Sequence, residues 1–363
     1  MKEIITLLLT LCILITSVSI TLVNAEEEPE YIYDSTTRTL TFNELRYSYN
    51  NTWVDIEYPE NIVLNSGITS IDDWTFSGDM GYVFPDLIPS GGNHCHRIKT
   101  VKLPNTLKKI GYNAFSYCIS LEKINLPNSL EEIGNDAFLF CNLKEINFPG
   151  SVKKIQWGTF ENCSNLEKVF INEGVEEIHP FAFAGCYNIE KISIPGSVKK
   201  FTGIGWKKLK KATLKNGIEE LVDRSFYNCV KLPSIVLPNS INKIGKESFY
   251  KCYSLKTIKL PKNITTIKSK LFYSCKKLKK VTIQNKVTKI EKYAFDNCKS
   301  LKKITIPKSV KKIGKKAFGY KLKKSGKSYK HVRIKDFTIK GYKGTAAEKY
   351  AKKNKFKFVA LKK

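Results

Sequence analysis

The chain has 363 residues, 42% of them hydrophobic, which is enough for a large core, and a repeat array of that length can stay one domain beyond the usual ~150 residues. Its formal net charge of +29 is one-ended: residues 26–95 hold 13 acidic and 2 basic residues (−11), residues 96–200 hold 11 and 13 (+2), and residues 201–363 hold 8 and 46 (+38). In a chain with an export leader, such a balance points to anionic wall polymers, lipid headgroups or sulfated glycans as partners, and away from specific nucleic acid.

Residues 1–25 carry Lys2, an apolar run from Ile4 to Val23, and Val23-Asn24-Ala25 before the acidic Glu26-Glu27-Glu28. This is the arrangement of a secretory signal peptide cleaved after Ala25. An uncleaved membrane anchor is the competing reading, because the run approaches the ~20 residues that span a bilayer. No second apolar run and no C-terminal sorting motif follow. The mature chain is therefore expected to be secreted or extracellular, or associated with a cell surface without a covalent anchor or transmembrane segment.

Residues 26–60 are expected to form an N-terminal β cap. Tyr31 to Phe42 alternates apolar and polar side chains around an Asp34-Ser35-Thr36 turn signal, as a hairpin does. The first rung follows, with Ile62, Val63 and Leu64 as its strand and Ile68, Ile71 and Phe76 as later core positions. Residues 77–94 are a loop insertion containing Gly and Pro, in which Tyr82, Phe84 and Leu87 are candidate contacts for a partner.

From residue 61 to 340 a 23-residue unit recurs, which is the signature of a solenoid. Phe249, Phe272 and Phe295 keep that interval, as do Cys252, Cys275 and Cys298 three residues later. Each unit opens on a strand slot such as Leu121 to Leu126, where Ile124 and Leu126 alternate inward. Ten such slots run from I-K-T-V-K-L at Ile98 to L-K-K-I-T-I at Leu301, and L-P-S-I-V-L at Leu232 is one of them. A proline often ends the strand, as Pro127, Pro261 and Pro307 do, where no ladder donor is needed. A second apolar pair such as Leu107 and Ile110 comes next, and then the aromatic and the cysteine. The expectation is a mainly β solenoid of about twelve stacked units with a parallel strand column. The unit 206–226 is shortened: Trp206 takes a phenylalanine slot, only 20 residues separate it from Phe226, and the missing residues include the cysteine. Residues 320–331 form a basic insertion, and residues 341–363 read as a C-terminal cap of a short helix and a strand.

Nine cysteines lie beyond the leader, an odd number, and all occupy the same slot. They are expected to form a core column of free thiols packed as small hydrophobes, although exported cysteines usually invite disulfides. Zinc is disfavoured because there is no C-x-x-C pair. His94-Cys95-His96 is the one cluster with metal-ligand character, and with Cys95 in the core its histidines read as residues of the loop edge. No serine or cysteine has a base and an orienting acid in phase with it. No enzymatic activity, catalytic residue, metal or cofactor is therefore expected.

The pair before the second core aliphatic alternates in sign over six units, from Lys108-Lys109 and Glu131-Glu132 to Lys199-Lys200 and Glu219-Glu220. Opposite charges on adjacent rungs add modestly to stability and specify register. Beyond Glu220 the acidic pairs cease. Polyanion binding is expected there, on Lys276, Lys277, Lys279, Lys280, Lys302, Lys303, Lys311 and Lys312.

The pattern L-x-x-I-x-L-P-x-S-V-x-x-I-G-x-x-A-F-x-x-C, seen in Leu301 to Phe318 and Leu121 to Cys141, resembles the BspA-like, or treponemal-type, leucine-rich repeat family. Gly341 to Asn354 resembles the terminal segment of its Gram-positive members. The resemblance spans roughly residues 62–361. It implies a leucine-rich-repeat solenoid in a secreted or surface protein of bacterial type, in a family associated with adhesion and host-protein binding, without catalytic residues. The expected function is non-enzymatic binding of a protein or glycan ligand through the solenoid face. The alternative is a structural envelope or matrix protein with no specific ligand.

Overall fold

The computed structural model describes residues 19–20, 31–45, 59–78, 94–203 and 205–362. Tyr82, Phe84 and Leu87 lie outside them, as does nearly all of the leader. The chain divides into two compact units, residues 1–144 and 145–363. Each is a mainly β, parallel-strand solenoid whose turns recur about every 23 residues.

In the first unit Tyr31–Asp34 and Thr39–Phe42 form an antiparallel hairpin with Tyr31 opposite Phe42. Its turn is held by Asp34, whose Oδ1 accepts the Thr36 N–H at 2.9 Å. Ser19 and Ile20 pair with Asp34 and Tyr33 on the outer edge of the hairpin. Thr39–Phe42 then begins the parallel column, which continues through Asn61–Leu64, Thr100–Lys102 and Lys123–Ile124. A second column of two-residue strands, Ser70–Ile71, Lys109–Ile110 and Glu132–Ile133, runs beside it.

The second unit repeats the arrangement. Glu145–Phe148, Lys168–Ile171, Lys191–Ile194 and Lys211–Leu214 form a four-stranded parallel sheet. Thr257–Lys259 pairs with Lys280–Thr282, and Lys303–Thr305 with Thr338–Gly341 and Lys357–Ala360. The second column runs through Lys154–Ile155 and Glu177–Ile178, then Lys200–Phe201 to Lys243–Ile244, then Thr266–Ile267 to Lys312–Ile313. An antiparallel hairpin, Tyr320–Ser325 with Ser328–Arg333, projects between turns, and Ala346–Lys353 is the α-helix.

The strands form where every second side chain is a buried aliphatic, as in the exposed-buried alternation of Glu145–Phe148. The slot from Leu232 to Leu237 departs from this expectation and has no strand. Pro233 stands where other turns present an N–H to the previous rung, as Lys279 does to the Lys256 carbonyl at 2.8 Å. Without that donor the ladder is interrupted.

A third hydrogen-bonded column lies at the phenylalanines. Phe249 N–H donates to the Leu271 carbonyl at 2.9 Å, and Phe272 and Phe295 bond likewise to Ala294 and Ala317 at 2.7 Å. Left-handed residues bracket each ring, such as Glu247 and Lys251 around Phe249, with φ of 60° and 58°. A non-glycine residue held there costs on the order of 1 kcal/mol, which bonding to the next turn offsets. Within this frame the rings stack: Phe226, Phe249, Phe272 and Phe295 follow one another with centroids 5.1–5.5 Å apart and planes within 11°.

Candidate functional site

The side chains facing solvent on these columns decide what the protein can bind. On the second column Lys109 lies opposite Glu132, Lys154 opposite Glu177, and Lys200 opposite Glu220, which in turn lies opposite Lys243. The ammonium groups reach Glu at 2.7 Å for Lys108–Glu131, 3.3 Å for Lys154–Glu177 and 2.6 Å for Lys243–Glu220. Their lysines are 42–59% exposed, so each pair adds about 0–1 kcal/mol and its main effect is on register.

The main strand column carries a second set of pairs that the sequence reading missed. Arg38 and Lys99 flank Glu60 at 2.9 and 2.7 Å, Lys144 meets Glu122, Lys168 meets Glu145, and Lys210 meets Glu190 at 2.6 Å. Pairing also persists beyond Glu220, contrary to expectation. Glu247 is held between Arg224 at 2.8 Å and Lys270 at 3.4 Å, and Asp223 meets Lys246 at 3.5 Å. Burial pushes the Glu247 carboxyl up, but the two cations more than reverse this and hold it below the usual carboxylate range.

The eight lysines singled out in the sequence are all exposed, and none forms an ion pair among the described residues. They fall into two groups. Lys280 and Lys303 open the side-by-side strands Lys280–Thr282 and Lys303–Thr305, Lys279 and Lys302 immediately precede them, and Lys276 and Lys277 lie in the turn leading to the first. Lys276 Nζ sits 4.0 Å from the centre of the Tyr253 ring. Lys311 and Lys312 belong to the second column, where Lys312 lies opposite Lys289 and not opposite an acid. The structure thus brings six of the eight together and sets two apart.

The hairpin adds Lys323, Lys324, Lys327 and Lys330, all exposed, and Tyr329, which is 66% exposed. At its base His331 Nε2 is 2.6 Å from Oδ2 of Asp296, whose side chain is fully buried. Burial pushes the Asp296 carboxyl up and His331 pulls it down, with burial prevailing. The Leu322 N–H donates to Asn297 Oδ1 at 3.1 Å, so the hairpin is fastened at two points. Below it Arg333, Lys335, Lys355 and Lys357 line an open cleft of 850 Å³ that contains one carboxylate, Asp336. Arg333 is oriented there by donating to the Lys355 carbonyl at 3.1 Å.

The shortened turn makes a different surface. Where three later turns place a tyrosine directly after the buried ring, the Tyr227, Tyr250 and Tyr273 ladder with centroids 4.9 and 4.8 Å apart, Phe183 is followed by Ala184 and Gly185. The result is a cleft of 220 Å³ walled by His179, Phe181, Tyr187 and Thr202 and backed by Trp206. Gly203 is required here, since a Cβ at that position would lie 2.6 Å from the indole ring. Phe181 and Tyr187 are 49% and 57% exposed. The Trp206 N–H is buried and meets no acceptor among the described residues, a cost of about 1–3 kcal/mol. His179 Nδ1 accepts the Phe181 N–H at 3.3 Å, which leaves Nε2 as the protonated nitrogen.

The nine cysteines from Cys95 to Cys298 are buried free thiols. Burial pushes the Cys252 thiol up to about 12, so it is neither nucleophile nor ligand near neutral pH. Cys95 lies in the turn His94–Arg97, and among the described residues no group of His, Cys, Asp or Glu could hold a metal ion. No helix among them is long and apolar enough to cross a membrane.

Residues 93–205 and 201–323 match the family model of the BspA type leucine rich repeat region, in six copies. A leucine-rich repeat protein from Bacteroides ovatus ATCC 8483 is similar in structure, with a TM-score of 0.53, 21% identity, and 96% of this chain and 99% of that one covered. A leucine rich cell surface protein from Faecalibacterium prausnitzii A2-165 aligns with a TM-score of 0.39 and 21% identity, covering 80% of this chain and 94% of that one. No curated protein matches the chain.

Proposed function

The chain belongs to the BspA-type leucine-rich repeat family, and from that premise we propose that it is an exported, surface-associated binding scaffold that adheres to anionic polymers through its basic half. Solenoids of this kind present extended surfaces for binding instead of reaction centres. The observation that carries the reading is the lysine cluster Lys276, Lys277, Lys279, Lys280, Lys302 and Lys303, none of which has a carboxylate partner among the described residues. Lysines on the same kind of column elsewhere, such as Lys168 and Lys210, each hold a glutamate at 2.8 and 2.6 Å. Like charges on adjacent rungs about 4.8 Å apart repel, and a polyanion laid across the strands relieves that repulsion while releasing counterions. Phosphate- or sulfate-bearing wall polymers and glycans fit an exported protein. Binding to heparin and to an anionic wall polymer, followed between low and high salt, tests this. A steep loss of affinity with salt is expected, and affinity that does not change with salt rejects the proposal.

A further inference from the structure

We infer that the cleft at the shortened turn is a binding subsite for an uncharged pyranose ring, separate from the lysine cluster and independent of it. Two aromatic walls, Phe181 and Tyr187, stand about half exposed beside a space of 220 Å³. An apolar cavity of ~150 Å³ already holds a benzene ring, so this space admits one six-membered ring with its substituents. The face of an aromatic ring carries the negative part of its quadrupole, and the C–H bonds on one face of a pyranose carry the complementary partial positive charge. Stacking on Phe181 or Tyr187 would therefore satisfy the sugar face, leaving its hydroxyls for polar neighbours.

Those neighbours are present and are donors. His179 carries its proton on Nε2 because Nδ1 accepts the Phe181 N–H, and the buried Trp206 indole supplies the apolar back wall. Thr202 adds a hydroxyl to the wall, and no carboxylate lines the cleft. A mainly apolar pocket with a few polar groups converging on it is the form that small-ligand sites take. The sugar oxygens are the acceptors that this set lacks. The lost residues, the small Ala184 and Gly185, and Gly203 against the indole open a space that the tyrosine ladder fills beside Phe226, Phe249 and Phe272.

The test is saturation-transfer NMR and calorimetry on the purified full chain with N-acetylglucosamine, methyl glucoside and short uncharged β-linked oligomers of each. Binding in the millimolar range that does not depend on salt is expected, and F181A and Y187A are each expected to weaken it at least tenfold. Both positions are exposed, and a circular dichroism melt verifies that the variants fold. A variant with Lys279, Lys280, Lys302 and Lys303 changed to Gln is expected to bind sugar as before while losing heparin, so the two readings fail separately. Absence of saturation transfer to every sugar at millimolar concentration overturns the inference, and so does binding that survives the F181A/Y187A double change.

Discussion

The thiol of Cys275 donates to the carbonyl oxygen of Phe249 at 3.1 Å, 26 positions earlier in the chain. Cys118, Cys141, Cys186, Cys252 and Cys298 make the same bond to Phe76, Phe115, Phe160, Phe226 and Phe272 at 3.0–3.2 Å. The residue type is thereby explained twice, as a small apolar filler and as the one small apolar side chain that also carries a donor.

Replacing Cys275 by Ala is expected to cost about 1 kcal/mol, because it leaves the Phe249 carbonyl only the Cys252 N–H at 3.3 Å and opens a void. Urea denaturation of C275A measures this, and an unchanged midpoint would show that the bond contributes nothing. Burial also raises the Cys252 thiol from 9.0 to about 12. A group raised in the folded state stabilises fully below its unfolded value and loses that contribution as pH climbs through the folded one. Stability should therefore decline between about pH 9 and 12, with the thiols inert to alkylation in native buffer and reactive once unfolded.

Glu247 gives the opposite sign. Its carboxyl is held below the ordinary 4.5 by Arg224 and Lys270, so its contribution is present above that value and is lost as pH falls through the depressed one. E247Q should cost about 0.5–1 kcal/mol near neutral pH, since both cations are partly solvated. The difference from the parent chain should shrink on acidification, and a constant difference from pH 7 to pH 3 would contradict the assignment.

The hairpin should respond to the pairing of His331 with Asp296. Burial keeps the Asp296 carboxyl above its ordinary 3.8, so its favourable contribution is complete below that value and fades as pH rises through the raised folded value. H331A should cost about 1–2 kcal/mol, since it removes one partner of a buried carboxyl and leaves it the Asn297 N–H at 3.0 Å. Hydrogen exchange of residues 320–333 should accelerate in H331A more than in K324A at the exposed tip. Equal protection in the two variants counts against docking through His331.

Changing Lys302 and Lys303 to Gln removes two charges from one rung, beside Lys279 and Lys280 on the rung before it. Stability should rise by about 0.5 kcal/mol while affinity for heparin falls and its salt slope becomes shallower. A lower Tm together with lower affinity would mean that these lysines brace the fold.

Much of the scaffold is legible in the sequence because burial imposes it at fixed intervals. The aliphatics of the strand slots, the phenylalanines and the cysteines must each meet their own kind on the next turn. The ion pairs are less legible, because the Glu60, Glu122 and Glu190 partnerships depend on which exposed rotamers meet across rungs. Pro233 carried a readable signal, since a residue without an N–H cannot extend a ladder. The cleft at Trp206 could be anticipated only as a shortened turn. That three lost residues leave an opening, and not a tighter closure, depends on how Gly203 and the indole pack.

That shortened turn also bears on how the array comes apart. Order in a solenoid spreads from each turn to the next, so cohesion is set by nearest neighbours. At Trp206 two of the repeated fastenings lapse: the turn has no cysteine, and among the described residues no ring contact joins Phe183 to Trp206. An unfolding front travelling through residues 145–363 meets reduced resistance there, as it does where Pro233 interrupts the strand ladder, which makes the turn a built-in fracture line. The cleft straddles that line, with Phe181 and Tyr187 on one turn and Thr202 and Trp206 on the next. Whatever occupies it acts as a splint, and its binding free energy adds to the cohesion of two turns that lack those fastenings.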